Sequence, residues 1–344
     1  MTMQRRFDRS SVPGDITPPE VFFNRRRFMQ AGLATIALGP AACAAPASQD
    51  PEQKDKILAV PFEREGVFPA KRNDRYSIPA ALDRKELTER RTAATHNNFY
   101  EFLPGRGGPV WQHTADFEVD PWTVTVGGEC RKPKTFDLDD LFKFEQEERV
   151  YHFRCVERWA MNVPWTGFPL RKLLEAVEPT SDAKFIRFIT ANRPAQMPGM
   201  RDADYYPWPY FEGLRMDEAM NDLTLVATGI YGAPLLKQHG APLRLVVPWK
   251  YGYKGAKSIT RIMLVREQPE TFWRKLQPHE YGFLSNVNPN IPHPRWSQQE
   301  SYWLGSEERF QTPLFNGYGE FVAELYPDEP TTMQEPLKPP AIGR

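Results

Sequence analysis

The chain has three cysteines, Cys43, Cys130 and Cys155, and the last lies in "YHFRCVERWAMNVPWTGFPL" (151–170), with Arg154 before it and Arg158 three residues on. A thiolate is a nucleophile and a metal ligand, and nearby cations favour it over the thiol. Cys155 is therefore a candidate nucleophile or a soft ligand to a metal. The ordinary alternative is a cysteine that only fills the core. A cysteine hydrolase would need a partner histidine. The six histidines (His96, His113, His152, His239, His279 and His293) show no zinc-type pairing with one another. Cys130 and Cys155 could pair in an oxidising compartment. An iron–sulfur cluster needs more thiolates than these, and no C-x-x-C-H is present for covalent haem.

A second stretch, "HGAPLRLVVPWKYGYKGAKSI" (239–259), places Lys250, Gly252, Lys254, Gly255 and Lys257 close together after His239 and Arg244. Glycines let backbone N–H groups close on an anion, and lysines add point charge. The spacing is not that of a Walker A loop, and a solvated basic turn is the bland alternative. A third, "HNNFYEF" (96–102), is a polar and aromatic patch that an Asx-turn would explain equally well. In "EYGFLSNVNPNIPHPRWSQ" (280–298), Tyr281, Asn286, Asn288 and Arg295 could hold a ligand or simply satisfy the backbone of a long ordered loop.

The elements that must position these residues are short. "PWTVTVGGEC" (121–130) alternates and ends in a glycine pair, a strand entering a turn. "TFDLDDLFKF" (135–144) is expected to be a short helix with Asp137 near its start. "LRKLLEAVEP" (170–179) has apolar residues at helical spacing and a terminating proline. Strands are expected in "AKFIRFITA" (183–191), "LTLVATGIYG" (223–232), "PLRLVVPW" (242–249) and "SITRIMLVRE" (258–267). Past 270 the chain should be mostly loop. The 34 prolines punctuate short elements rather than forming one tract, so the expectation is a loop-rich α+β domain of mixed sheets over about 95–330.

Residues 1–45 predict an export signal. Arg25-Arg26-Arg27 precede Phe28-Met29 and a short apolar run, Ala31 to Ala45, with an A-x-A-like end at Ala42-Cys43-Ala44. The run is too short to span a bilayer comfortably, and paired arginines before Phe mark the twin-arginine variant of a secretory signal. Cys43 would leave with it. Residues 46–95, charged and proline-rich, read as an extended arm. The full chain has 44 basic and 44 acidic residues; without residues 1–45 the balance is 38 to 41, a net charge of −3. Such a charge does not suggest nucleic acid or an anionic membrane surface as partner.

The whole chain resembles the periplasmic protein-methionine-sulfoxide reductase catalytic subunits, molybdopterin enzymes of the sulfite oxidase fold family. The likeness is carried by "VFFNRRRFMQ", "NNFYEF", "RCVERWAMNVPWTGFPL", "WPYFEGLRMDEAM", "APLRLVVPWKYGYKGAKSI", "NVNPNIPHPRWSQ" and "LFNGYGEFV". It implies a sulfite oxidase-type molybdopterin-binding domain over 96–344, without the added dimerisation or haem domains of its relatives. It implies one molybdenum-molybdopterin per chain, with Cys155 the metal-ligating and catalytic cysteine. The pterin contacts it implies fall on Asn97, Tyr100, Glu101, Thr190, His239, Arg244, Gly255, Ala256 and Lys257. It also implies oxygen-atom transfer from methionine sulfoxide in oxidised periplasmic proteins, with electrons from a membrane-embedded haem b subunit. Trp159 and Trp165 could pack the methionine methyl group. The resembled reductases commonly carry Asn where this chain has His239, and the sulfite-oxidising relatives often carry His. After the cysteine, Val156-Glu157-Arg158-Trp159 follows the reductases. A sulfite dehydrogenase-like oxidase of the same fold and a cofactor-free periplasmic binding protein with a Cys130–Cys155 disulfide are the alternatives.

Overall fold

The computed structural model describes residues 56–105, 109–306 and 308–335; the expected export signal over 1–45 and Cys43 lie outside the described residues. The strands are, in chain order, β1 (Thr123–Gly128), β2 (Lys134–Asp137), β3 (Glu147–Arg154), β4 (Trp159–Pro169), β5 (Phe185–Thr190), β6 (Phe211–Arg215), β7 (Leu225–Ile230), β8 (Ala233–Pro234), β9 (Arg244–Val246), β10 (Ile259–Val265), β11 (Glu300–Trp303) and β12 (Arg309–Gln311). They form two sheets. One is five-stranded, ordered β2-β1-β10-β5-β6, with β1 and β10 parallel. The other is seven-stranded and runs β12-β11-β4-β7-β8, with β3 paired to β4 and β9 to β7. Together with the helices, which among the described residues are all eight residues long or shorter, this is the expected α+β architecture of mixed sheets and short helices.

β1 alternates exposed and buried residues at its start, and Ile186, Phe188 and Thr190 of β5 point inward from every second position. That is the period of a strand with one covered face. β4 is different. All of its eleven residues are buried, because β3 runs antiparallel along one edge while β7 and β11 share the other. At Gly167 the β4–β7 register shifts, and an added Cβ there would lie 2.1 Å from Val226 O. Only a residue without a side chain permits that approach.

The helix Leu170–Val177 buries Leu170, Leu173, Leu174 and Val177, the i, i+3, i+4, i+7 stripe its sequence predicts, and ends with Glu178 at φ 54° before Pro179. The segment 135–144 is split where a single helix was expected. Residues up to Asp137 complete β2, and the helix is only Leu138–Phe142. Asp137 caps it, accepting from the Asp140 N–H at 2.7 Å. Past 270 the chain is more regular than expected, with a helix at Phe272–Leu276, strands β11 and β12, and a helical turn at Gly319–Val322. The described part of the arm packs against the domain: Ile57, Tyr76 and Leu82 are buried, Arg72 bridges Glu148, and a helix at Arg90–Thr95 leads into the site.

Candidate active site

Cys155 opens the turn that joins β3 to β4. Its N–H donates to Trp159 O at 3.0 Å, and the Arg158 N–H returns to Cys155 O at 2.9 Å. Arg158 sits at φ 79°, the left-handed position that closes such a three-residue loop and more often holds glycine. Arg154 is fully buried, donating from Nε to Ser301 Oγ at 2.7 Å and from Nη1 to Cys155 O at 3.2 Å. The turn is thus clamped at its base by an arginine rather than covered by one.

Glu157 and Asn98 approach the sulfur. Cys155 Sγ lies 3.8 Å from Glu157 Oε2, 3.5 Å from the Glu157 N–H and 3.6 Å from Asn98 Nδ2. Asn98 Nδ2 and Trp159 Nε1 both donate to Glu157 Oε2, at 2.9 and 3.1 Å. Burial and the Glu157 carboxylate push the thiol well above its usual range, against the smaller opposing pull of the Glu157 N–H, Arg154 and Asn98. The protein alone therefore keeps Cys155 protonated. A bound cation would reverse that, since a coordinating thiol is deprotonated outright.

Two other segments complete the cleft, a space of about 870 Å³ that is open to solvent. The stretch after the Arg90–Thr95 helix contributes Asn97, Tyr100 and Glu101; the region around β9 and the following turn contributes His239, Arg244 and Lys257. Asn97 Nδ2 and His239 Nε2 both hold the carbonyl of Ala93, at 3.3 and 3.1 Å. Because that carbonyl can only accept, His239 carries its proton on Nε2 and presents Nδ1 as an acceptor. Burial, with Arg244 nearby, lowers its pKa to about 4, so the ring is neutral. Thr190 stands behind Glu101, its hydroxyl 3.4 Å from Glu101 Oε1 and 3.2 Å from Tyr210 O. Burial raises the Glu101 carboxyl to about 7 despite the pull of Lys257, and burial next to Arg244 lowers Lys257 to about 8.

The basic glycine segment divides its lysines. Lys250 Nζ is 2.7 Å from Glu218 Oε1 and Lys254 Nζ is 2.6 Å from Glu212 Oε2, all four side chains being sealed from solvent. Of the three, only Lys257 reaches the cleft. The idea of a solvated basic turn is corrected accordingly: Lys257 is half-buried, and Gly240, at φ 100°, exists to let it pass, since a Cβ there would meet Lys257 Cβ at 2.7 Å. The amides of Gly255 and Ala256 are engaged within the turn, bonding Gly252 O and Lys254 O at 3.1 Å each. Gly255 instead leaves room for Arg244, whose Nη2 would be 2.8 Å from an added Cβ.

Trp159 and Trp165 both line the cleft, Trp165 lying 5.1 Å beneath the Arg244 guanidinium. Of the 280–298 candidates only Tyr281 lines it; Asn286 and Asn288 bond Glu329, and Arg295 pairs with Glu280. Residues the sequence did not single out are Asn98, Glu157, Tyr210, Tyr253 and Trp273. Asn98 and Glu157 are chain neighbours of chosen residues, which was the available signal. Tyr253 lies between the singled-out Gly252 and Lys254, and Tyr210 lies within the quoted stretch that begins at Trp208; Trp273 arrives from a distant segment and carried none. Cys130 and Cys155 are both free, so the disulfide alternative is not realised.

The donor set fits a metal carried by an organic group. Among the described residues no three His, Cys, Asp or Glu side chains gather to hold a metal ion. A metal at Cys155 would draw its remaining donors from outside the protein. Asn97 Oδ1, His239 Nδ1 and Arg244 Nη2 are buried without partners. Buried polar atoms are rarely left so, and here two acceptors and one donor share one cleft wall, suited to the edges of a polar heterocycle.

Residues 111–273 match the oxidoreductase molybdopterin binding domain family. Curated relatives with the description protein-methionine-sulfoxide reductase catalytic subunit align along nearly the whole chain. That of Burkholderia mallei is 45% identical, covering 92% of this chain and 95% of its own. Those of Xanthomonas axonopodis pv. citri and Pseudomonas syringae pv. tomato are 46% and 44% identical, over 91% and 92% of this chain and 94% of each of theirs. Among solved structures, the sulfane dehydrogenase SoxCD of Paracoccus pantotrophus gives a TM-score of 0.45 at 17% identity, covering 77% of this chain and 64% of its own.

Proposed function

Because the chain belongs to the family of protein-methionine-sulfoxide reductase catalytic subunits, molybdopterin-binding oxidoreductases, we propose that it reduces methionine sulfoxide residues in periplasmic proteins at the cleft around Cys155. The observation that carries this reading is the placement of Cys155: it is the one described cysteine in the cleft, facing a wall whose Asn97, His239 and Arg244 have unused hydrogen-bonding atoms.

In this reading Cys155 is the protein's ligand to molybdenum, one metal per chain. When bound, the molybdenum-molybdopterin supplies the two-electron oxygen-atom transfer that turns a sulfoxide into a thioether and water. Lys257 would bring positive charge to the cofactor phosphate, and Arg244 would donate to the ring edge through its unpartnered Nη2. Asn97 and His239 accept from its ring edge, and Tyr100 and Glu101 border it, with Thr190 holding Glu101. Gly255 and Ala256 keep the turn close behind Arg244. Trp159, fixed by its bond to Glu157, offers an apolar face beside the sulfur for the substrate's methyl group.

Two electrons and two protons are needed for each turnover. Within the proposal the electrons come from a partner subunit, a membrane-embedded haem b protein. Residues 1–45 serve as the twin-arginine export signal, 46–95 as an N-terminal arm, and 96–344 as the catalytic domain.

The test is molybdenum content together with turnover of a methionine sulfoxide and of sulfite by one purified, exported sample. Stoichiometric metal with sulfoxide reduction is the expected result. Sulfite oxidation without sulfoxide reduction would favour the oxidase that His239 suggests. Protein that is folded and free of molybdenum when isolated from the periplasm would overturn the redox reading.

A further inference from the structure

A second hollow of about 1640 Å³ adjoins the cleft and shares Val156, Tyr253 and Tyr281 with it. Its walls are the loops 278–286 and 291–298 and the segment 325–330. The partition between the two spaces is held in place, because Val156 O accepts from Trp296 Nε1 and Gln298 Nε2, each at 3.0 Å.

We infer that this groove is the seat of the substrate polypeptide: an extended, unfolded stretch of an oxidised protein lies along it and sends its methionine sulfoxide side chain past Tyr281 into the cleft. The inference rests on the function proposed above. A methionine side chain is short and unbranched, so the backbone that carries it must lie immediately beside the reaction site. The cleft must also accommodate the cofactor. The groove is the space on the other side of its wall, sharing Val156, Tyr253 and Tyr281 with it.

The lining fits an occupant of varied sequence. Its polar groups are largely engaged within the protein: Asn286 bonds Glu329 and Lys250, Glu280 pairs with Arg295, and Arg215 pairs with Asp217. What remains includes proline surface from Pro278, Pro292 and Pro327 and the side chain of Ile291, which is 40% exposed, with the buried rings of Tyr281 and Phe283 behind them and Arg274 and Asp328 as exposed charges at the rim. Such surface binds extended chain by contact area rather than by reading donors and acceptors.

Gly282 provides the test. It is an exposed residue of the groove wall, its φ is ordinary, and nothing lies within 4 Å of an added Cβ. Gly282→Trp should therefore fold and obstruct the groove; Ile291→Asp is a second, independent variant. The probes are a chemically oxidised, permanently unfolded protein and free methionine sulfoxide. The expected result is a loss of about tenfold or more in kcat/KM on the protein, carried by KM, with the free sulfoxide unchanged within about twofold. No loss on the protein substrate in either variant, or equal loss on both substrates, would overturn the groove assignment. Binding of the fluorescently labelled oxidised polypeptide, followed by anisotropy, separates this proposal from the function beneath it. A wild-type holoenzyme that reduces neither sulfoxide sinks the reaction, whereas binding that Gly282→Trp leaves intact sinks the groove alone.

Discussion

Lys254 Nζ stands 2.6 Å from Glu212 Oε2 with both side chains 1% exposed, and it also donates to the carbonyls of Gly213 and Phe283 at 2.7 and 2.8 Å. The pair ties the turn after β9 to β6 and to the loop past 280. Removing the cation would strand a buried carboxylate, which costs about 3–5 kcal/mol. Lys254→Met should lower the stability of the apoprotein by that order in a denaturant melt. A change under about 1 kcal/mol would mean the pair is hydrated or dispensable.

Lys257→Met should behave in the opposite way. This lysine faces the cleft, and burial already holds it near a pKa of about 8, so losing its charge relieves a desolvation cost. The apoprotein should melt within about 1 kcal/mol of wild type. Cofactor retention should fall by roughly ten- to a hundredfold, the equivalent of one to two steps of 1.4 kcal/mol. Molybdenum and pterin per chain, measured beside the melt, decide the matter; wild-type content would remove Lys257 from the cofactor site.

His239→Asn should keep both cofactor and activity. An asparagine there can donate through Nδ2 to Ala93 O and leave Oδ1 as the acceptor, which reproduces the pattern of a histidine protonated on Nε2. His239→Leu offers neither atom and should lose cofactor. If the asparagine variant loads as poorly as the leucine variant, the imidazole has a role that this pattern does not capture.

Cys155→Ser should fold and be inactive, because serine is a hard donor where a soft one is required. Cys130→Ser should be close to neutral in both stability and activity, since Cys130 is a free, half-buried thiol beside the Gly127-Gly128 turn. A loss of stability of about 2–5 kcal/mol in the Cys130 variant would point to a disulfide after all.

Acid should weaken the fold through His152 and His239. Each is buried and neutral, His152 with its Nδ1 2.8 Å from Asn162 Oδ1, and burial lowers the pKa of each to about 4. The folded pKa lies below the unfolded one, so below pH 6.5 the unfolded chain takes up protons that the native state refuses. Stability should be full above pH 6.5 and fall by a few kcal/mol as pH drops towards 4. His152→Gln should flatten that fall in pH-dependent denaturant melts. An unchanged slope would assign acid lability to other groups.

The sequence by itself determined most of what depends on local order. The leucine stripe of Leu170–Val177, the alternation in β1 and β5, and Asp137 as a cap are all legible because period and capping act over a few residues. Cys155 was legible as chemistry, since a cysteine between arginines is unusual wherever it folds. The tertiary structure decided which of several similar side chains does what. Lys250, Lys254 and Lys257 look alike in the chain, yet two meet buried glutamates from distant segments and one faces the cleft. The same holds for the arginines beside Cys155: Arg154 turns inward to brace the turn, and Glu157, two residues past the cysteine, comes to the sulfur instead. Electrostatics depends on distance and burial, which are properties of the packed molecule. Tyr210, Tyr253 and Trp273 reach the cleft from three separate segments, and no pattern within any one of them could announce a shared wall.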